Sequence, residues 1–284
     1  MNQLKTIFLL GAVSALLIAL GAQMGQGWMI LAVGAALVMN LGSYYWSDKI
    51  VLAMHRAREV SEQEAPQLHA EVTQLAARAG IPKPRICIIP DASPNAFATG
   101  RNPAHGVVAF TEGLLDTMPR RELQGVIAHE LGHIAHKDIL IATVAAAMAS
   151  AISLLASILQ WTAMFSGGSR DDEEGGMNPI AALAFAILAP IGATLIQFAI
   201  SRSREFLADE EAAHLTGDPE GLARALERLE HSHDVMPAGL TARPATASLM
   251  IASPFSGRGV MTWFSTHPPI PVRTAKLRAM IGVR

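Results

Sequence analysis

Charge is scarce in this chain, and cysteine is nearly absent. Of 284 residues, 16% are charged and 51% hydrophobic, with a mean hydropathy of +0.31. That balance excludes an ordinary soluble domain of this size. The scarcity is uneven, because Thr6–Ala22, Gly27–Trp46, Ile139–Phe165 and Pro179–Ile200 contain no Asp, Glu, Lys, Arg or His. A membrane-spanning helix needs about 20 such residues. The last three runs qualify by length; the first fits either a span or the apolar core of a signal peptide behind Lys5. The short glycine-rich stretch after Ala22 and the prompt start of the next run favour a helical hairpin. With Cys87 alone, an intrachain disulfide is impossible and a reducing compartment fits. Set in Ile86–Ile89, Cys87 reads as a small buried hydrophobe. There is no internal repeat, and a net charge of −2 without a long basic block gives no reason to expect nucleic acid as a partner.

Where positive charge does occur, it marks one end of each run. Lys5 precedes the first, Lys49, Arg56 and Arg58 follow the second, Lys137 precedes the third, and Arg202 and Arg204 follow the fourth. At the opposite ends only Arg170 occurs, among Asp171, Asp172, Glu173 and Glu174. By the positive-inside rule both termini and both large polar segments are cytosolic. The expected organisation is a transmembrane hairpin over 6–46 and a first catalytic segment over 47–138. A second hairpin over 139–200, with an extracytoplasmic loop at 166–178, and a second catalytic segment over 201–284 complete it. Neither polar segment is a comfortable domain alone, so the two are expected to fold against each other.

Within the first polar segment, Leu68, Val72, Leu75 and Ala79 recur at helical steps and are closed by Gly80 and Pro82. Pro84–Pro90, Pro94–Gly100 and Gly106–Thr111 then read as short strands separated by turns. An edge of such a sheet can take an extended peptide through main-chain hydrogen bonds. Arg120–Lys137 follows as a helix that nothing in the sequence breaks before the third apolar run.

That helix carries His129-Glu130-Leu131-Gly132-His133, the HExxH pattern. Residues four apart lie within about 40° on one helical face, so both imidazoles can reach one ion. Zinc accepts two histidine nitrogens, a carboxylate and a water in a tetrahedral site. The apolar neighbours Val126, Ile127, Ala128, Leu131 and Ile134 describe a mostly buried helix, where polar groups without partners are costly. His136 lies seven residues from His129, about 10 Å along the axis, too far to share the ion; it reads as a helix-end or membrane-surface histidine. A third ligand has a better source in Arg202-Ser203-Arg204-Glu205-Phe206-Leu207-Ala208-Asp209. Glu205 and Asp209 share a helical face: Glu205 can close the metal site, and Asp209 can accept a hydrogen bond from the free ring nitrogen of a ligating histidine. The bland alternative is a surface helix whose acids pair with Arg202 and Arg204. His55, His69, His105, His214, His231 and His233 have no spacing that adds a second metal site.

Taken together, the apolar hairpin, Asn95-Ala96-Phe97-Ala98-Thr99-Gly100, the HExxH helix, the second apolar pair, Ser201–Asp209 and Thr266-His267-Pro268-Pro269 resemble the HtpX family. These are membrane-bound zinc peptidases related to the type I CAAX prenyl proteases. The resemblance implies a mainly α membrane protein with transmembrane helices and a cytosolic α+β, gluzincin-like zinc peptidase unit containing a small sheet. It implies one Zn2+ per chain on His129, His133 and Glu205, with Glu130 as general base. His267 would stabilise the tetrahedral oxyanion with help from Arg273, and Asn95, Ala96 and Phe97 would meet the substrate. The implied setting is a bacterial cytoplasmic (inner) membrane, multi-pass, with the site facing the cytosol. The implied partners are the lipid bilayer and protein or peptide substrates, chiefly misfolded or damaged membrane proteins cleaved under stress.

Two rivals stand beside this reading. An intramembrane site-2-type metalloprotease places HExxH inside a span, whereas here Arg120, Arg121 and Glu122 precede the motif and Lys137 and Asp138 follow it. A non-enzymatic scaffold with structural zinc would want four protein ligands, usually thiolates, and has no use for Glu130.

Overall fold

Two long apolar helices begin the chain. The computed structural model describes residues 2–23, 25–149, 202–235, 246, 249–251 and 268–282. Helix α1 (Asn2–Gln23) and helix α2 (Gln26–Met54) pack as a hairpin. Gly25 makes the turn at φ +114°, a conformation that favours glycine. Asn40 donates to Ser14 Oγ across the pair at 3.0 Å. Among the described residues, α2 is the one helix long and apolar enough to cross a membrane; α1 holds a shorter apolar stretch, Thr6–Ala15. At 1.5 Å per residue α2 is about 43 Å long, against a bilayer core of about 30 Å. Its two ends differ accordingly. Trp28, Ile30, Leu31, Leu37, Val38 and Leu41 are exposed, whereas Ser47, Val51 and Leu52 are buried near the C-terminal end.

A four-stranded mixed sheet receives that buried end. Strands β1 (Arg58–Glu59), β2 (Arg85–Ile89), β3 (Ala96–Thr99) and β4 (Val107–Thr111) lie in the order β1-β2-β4-β3. The inner pair β2 and β4 is parallel, with Cys87 opposite Ala109; β1 and β3 join antiparallel at the edges. The period of two sorts the side chains into two layers. Ile86, Ala96, Ala98, Val108 and Phe110 join one apolar core with α3 (Pro66–Arg78) and α5 (Arg120–Ala135). Cys87, Ile89, Phe97, Val107 and Ala109 join a second, which includes Val51 and Leu52 of α2 and Ala146 and Ala147 of α6 (Ile139–Ala149). Both faces of the sheet are thus covered, which is why β4 reads as an unbroken apolar run rather than an alternating one. The short α4 (Glu112–Thr117) follows it, capped by the Thr111 hydroxyl, which accepts from Leu114 N.

Helix α5 is the axle of the second layer. It packs against both α7 (Arg202–Thr216) and α8 (Pro219–Val235), and α9 (Ile270–Ala279) lies on α7 and α8. Gly132 permits the α7 contact, since a Cβ there would stand 3.2 Å from the Ala208 Cα. Among the described residues, α5 of the first polar segment thus packs on α7 and α8 of the second.

One expectation needs correction. The helix of α5 does not run unbroken into the third apolar run. It ends at Ala135, His136 caps it, and Lys137 turns left-handed at φ +56° before α6 begins. Lys137 N bonds to Ile134 O and Asp138 N to His133 O, the paired bonds of a Schellman ending. Glycine is the usual residue at that turn, so a lysine there gives no warning in the sequence. Of the four expected membrane spans, the runs of the first two lie in α1 and α2, and the third is described as far as Ala149. The second apolar hairpin lies outside the described residues beyond Ala149, as does the loop at 166–178.

Candidate active site

The α-helical pitch brings the Nε2 atoms of His129 and His133 to 3.2 Å from each other. Glu205, in the first turn of α7, faces them across the close α5–α7 contact: Oε2 is 3.8 Å from His129 Nε2 and Oε1 is 3.7 Å from His133 Nε2. A tetrahedral ion with bonds near 2.0–2.1 Å places its ligand atoms roughly 3.3 Å apart. The histidine pair already has that spacing, and the carboxylate stands a few tenths of an ångström beyond it. Among the described residues no other group of His, Cys, Asp and Glu side chains converges in this way.

Each imidazole is held from behind. Asp209 Oδ1, one turn beyond Glu205, lies 3.0 Å from His129 Nδ1. Arg273 of α9, wholly buried, grips the same carboxylate through Nε at 2.8 Å and Nη2 at 2.6 Å. Burial opposes the charge on Asp209, but the Arg273 guanidinium overrides it and holds the carboxyl well below its usual range. His129 itself is driven down, first by burial and then by Arg273 despite Asp209. A neutral imidazole with one nitrogen fixed by a carboxylate is the form that ligates a metal.

His133 is held by a different acid, Asp138, whose Oδ2 lies 3.2 Å from Nδ1. The left-handed turn at Lys137 swings Asp138 back to the helix it has just left. Burial would depress His133, yet Asp138, Glu205 and Glu130 together lift it to about 10. Reading the sequence assigns Asp138 no role in the site. The available signal is an acid five residues past the second histidine, at the point where the helix gives way to an apolar run.

Between the two lies Glu130, 1% exposed. Burial pushes its carboxyl up to about 8, against the pull of His133 and a hydrogen bond from the Ala98 main chain. Its Oε2 has no hydrogen-bond partner among the described residues. Arg204, also buried, stands near Asp138 and Glu205. Four buried carboxylates, Glu130, Asp138, Glu205 and Asp209, face two guanidiniums, Arg204 and Arg273, and two imidazoles. With Glu130 largely protonated near neutral pH, one negative charge remains when the imidazoles are neutral, and a cation offsets it. Donor type, spacing and charge thus all fit such an ion.

The cleft beside these groups is lined by Ala98 of β3, Ile139 and Ala142 of α6, Arg204 of α7, and the segment Leu249–Ile251. β3 is the edge strand. Thr111 N bonds to Asn95 O, so antiparallel alternation turns the main-chain groups of Ala96 and Ala98 outward, toward the cleft. Asn95 Oδ1 accepts from Ala96 N, and the Phe97 side chain is wholly buried in the layer facing α2 and α6. His136 caps α5 with Nε2 3.8 Å from Glu211. His267 lies outside the described residues; Pro268 and Pro269 lead into α9 just beyond it.

Comparison with known proteins agrees with this geometry. Residues 62–281 match the profile of peptidase family M48. The chain is 50% identical to the Protease HtpX homolog of Desulforapulum autotrophicum, over 98% of this chain and 89% of that one. It is 51% identical to the Protease HtpX homolog of Ralstonia nicotianae, over 98% and 96%. With that of Pyrococcus furiosus it shares 50%, over 96% and 94%. Among solved structures, the crystal structure of S. mikatae Ste24p matches with a TM-score of 0.52 at 17% identity. That match covers 97% of this chain and 65% of Ste24p, and at such identity the likeness is one of fold.

Proposed function

The chain belongs to peptidase family M48, in its HtpX branch, and from that premise we propose that it is a membrane-anchored zinc endopeptidase. The substrates in this reading are misfolded or damaged membrane proteins, cut where they reach the cytosolic side. The observation that carries it is the convergence of His129, His133 and Glu205 beside buried Glu130, next to the β3 edge of a sheet.

His129, His133 and Glu205 would hold the ion, and Asp209 and Asp138 orient the two imidazoles through their Nδ1 atoms. Zinc held there would lower the pKa of a water and polarise the scissile carbonyl. Glu130 Oε2 takes the proton as the water attacks and returns it to the departing amine; a carboxyl poised near neutrality does both at small cost. An extended substrate would lie along the β3 edge at Ala96 and Ala98, a mode of binding that reads shape and little sequence. Asn95 and Phe97 serve that edge from behind, the first by bonding Ala96 N and the second by anchoring the strand in the core. Arg273 fixes Asp209 and so His129; with His267, as the HtpX resemblance implies, it sets positive charge near the developing oxyanion.

Membrane anchorage rests on α2, whose exposed apolar stretch ends in Tyr44, Tyr45 and Trp46, all of them exposed. Aromatic residues of this kind settle at the lipid–water interface. Immediately after them α2 becomes buried against the sheet, which sets the peptidase unit directly beside the bilayer. The positive charge at Lys49, Arg56 and Arg58 favours the cytosolic side. Helix α5 begins with Arg120, Arg121 and Glu122 and packs within the peptidase unit, which favours this reading over cleavage inside a span.

The test is cleavage of casein by detergent-purified protein, stripped with a chelator and reloaded with zinc. Native protein should regain cleavage. Glu130→Gln should bind one zinc per chain and cut nothing. A zinc-loaded, folded native chain that leaves casein whole contradicts the peptidase reading and favours a scaffold.

A further inference from the structure

The edge that the proposed mechanism offers to a substrate is already in use. Ile251 N donates to Ala96 O at 3.0 Å, as an added strand would. The Ile251 carbonyl, in turn, accepts from Arg273 Nη1 at 3.3 Å. Leu249, Met250 and Ile251 line the same cleft as His129, Glu130, His133 and Glu205. Two of the three side chains are sunk into the protein: Ile251 is 2% exposed in the α5 layer, and Leu249 is 8% exposed among Phe97, Leu52 and Ala147. The segment is also tied down at its start. Leu249 N bonds to Thr246 O, and buried Thr246 Oγ1 lies 2.9 Å from His55 Nε2, at the C-terminal cap of α2.

We propose that Leu249–Ile251 is a resident occupant of the substrate's place, an internal apolar peptide that a substrate must displace from β3. This rests on the peptidase reading and deepens it in two respects. The positions filled by Leu249 and Ile251 define the substrate class as extended apolar chain, the kind of sequence a folded protein keeps buried. Occupancy also sets a threshold: apparent affinity falls by the fraction of molecules whose edge is clear. Short or polar peptides lose that competition, and long unfolded apolar segments win it.

The experiment compares the zinc-loaded native chain with Leu249→Ala and with Thr246→Val, which loosens the tether at His55 without altering a cleft residue. Initial rates are read on a short fluorogenic peptide with leucine and isoleucine flanking the cut. KM should fall by about tenfold in both variants, with zinc content unchanged and, in Thr246→Val, kcat within a factor of about two. KM unchanged or raised overturns the proposal and makes the segment a wall of the cleft. A second readout separates this from failure of the peptidase reading. Met250→Cys, beside the buried native Cys87, reports maleimide access at the segment. Labelling should quicken severalfold when a non-cleavable apolar peptide is added, whether or not any peptide is cut. No change on adding the peptide overturns the proposal independently of catalysis.

Discussion

His129 and His133 sit one turn apart on α5, yet the protein braces them by unlike means. Behind His129 stand Asp209 of α7 and Arg273 of α9, brought from the far end of the chain into full burial. Behind His133 stands Asp138, five residues on, returned by a single left-handed turn. The first brace also holds the fold together, because it fixes α9 and α7 to α5. The second is a local device, and its loss should be felt mainly by the metal.

Breaking the long-range brace should have the largest effect. Arg273→Met leaves Asp209 buried without its cation and should cost about 3–5 kcal/mol of stability, read by denaturant unfolding in detergent. The pair Arg273→Met with Asp209→Leu should recover part of that loss, since the orphaned charge is then gone. If the single variant unfolds like the native chain, the brace is not structural. Next in size is Asp138→Asn. Zinc affinity, measured by competition with a chelator, should drop about 10- to 100-fold while the unfolding midpoint stays put. A large fall in stability instead would erase the contrast between the two braces.

Smaller changes sharpen it. Lys137→Gly removes the side-chain conflict of a left-handed residue and should stabilise the protein by up to about 1 kcal/mol, seen as a modest rise in Tm. A rise with unchanged zinc affinity would show that the turn, and not the lysine, delivers Asp138. The smallest effect is expected at Cys87, which lies in the sheet layer facing α2 and α6. Burial, with Glu59 adding to it, raises its thiol from 9.0 to about 11. Thiolate is therefore disfavoured in the folded state up to that range and already abundant in the unfolded chain above pH 9. Iodoacetamide at pH 8 should modify Cys87 slowly until denaturant is added; rapid labelling of the folded chain would mean that this face of the sheet opens.

The same contrast explains what can be read from the sequence. The stripe of Leu68, Val72 and Leu75 and the three runs that become β2, β3 and β4 are legible because their periods are local. His129 and His133 are legible for the same reason, and Glu205 through its four-residue step to Asp209. The order β1-β2-β4-β3 is not legible, because parallel pairing of β2 with β4 depends on contacts across the fold. Nor is the two-residue β1, too short to carry a pattern. Asp138 escapes because Lys137 takes a turn that sequence assigns to glycine. Ile251 escapes because its bond to Ala96 joins positions 155 apart with no motif at either end.

The central claim is that His129, His133 and Glu205 close one zinc site, with two braced imidazoles. X-ray absorption at the zinc edge, on purified protein carrying one zinc per chain, tests it most directly. The account predicts two imidazole nitrogens and the remaining ligands oxygen, all near 2.0–2.1 Å, with one oxygen altered or lost in Glu205→Ala. A sulfur ligand at about 2.3 Å, or a spectrum that Glu205→Ala leaves unchanged, would contradict it.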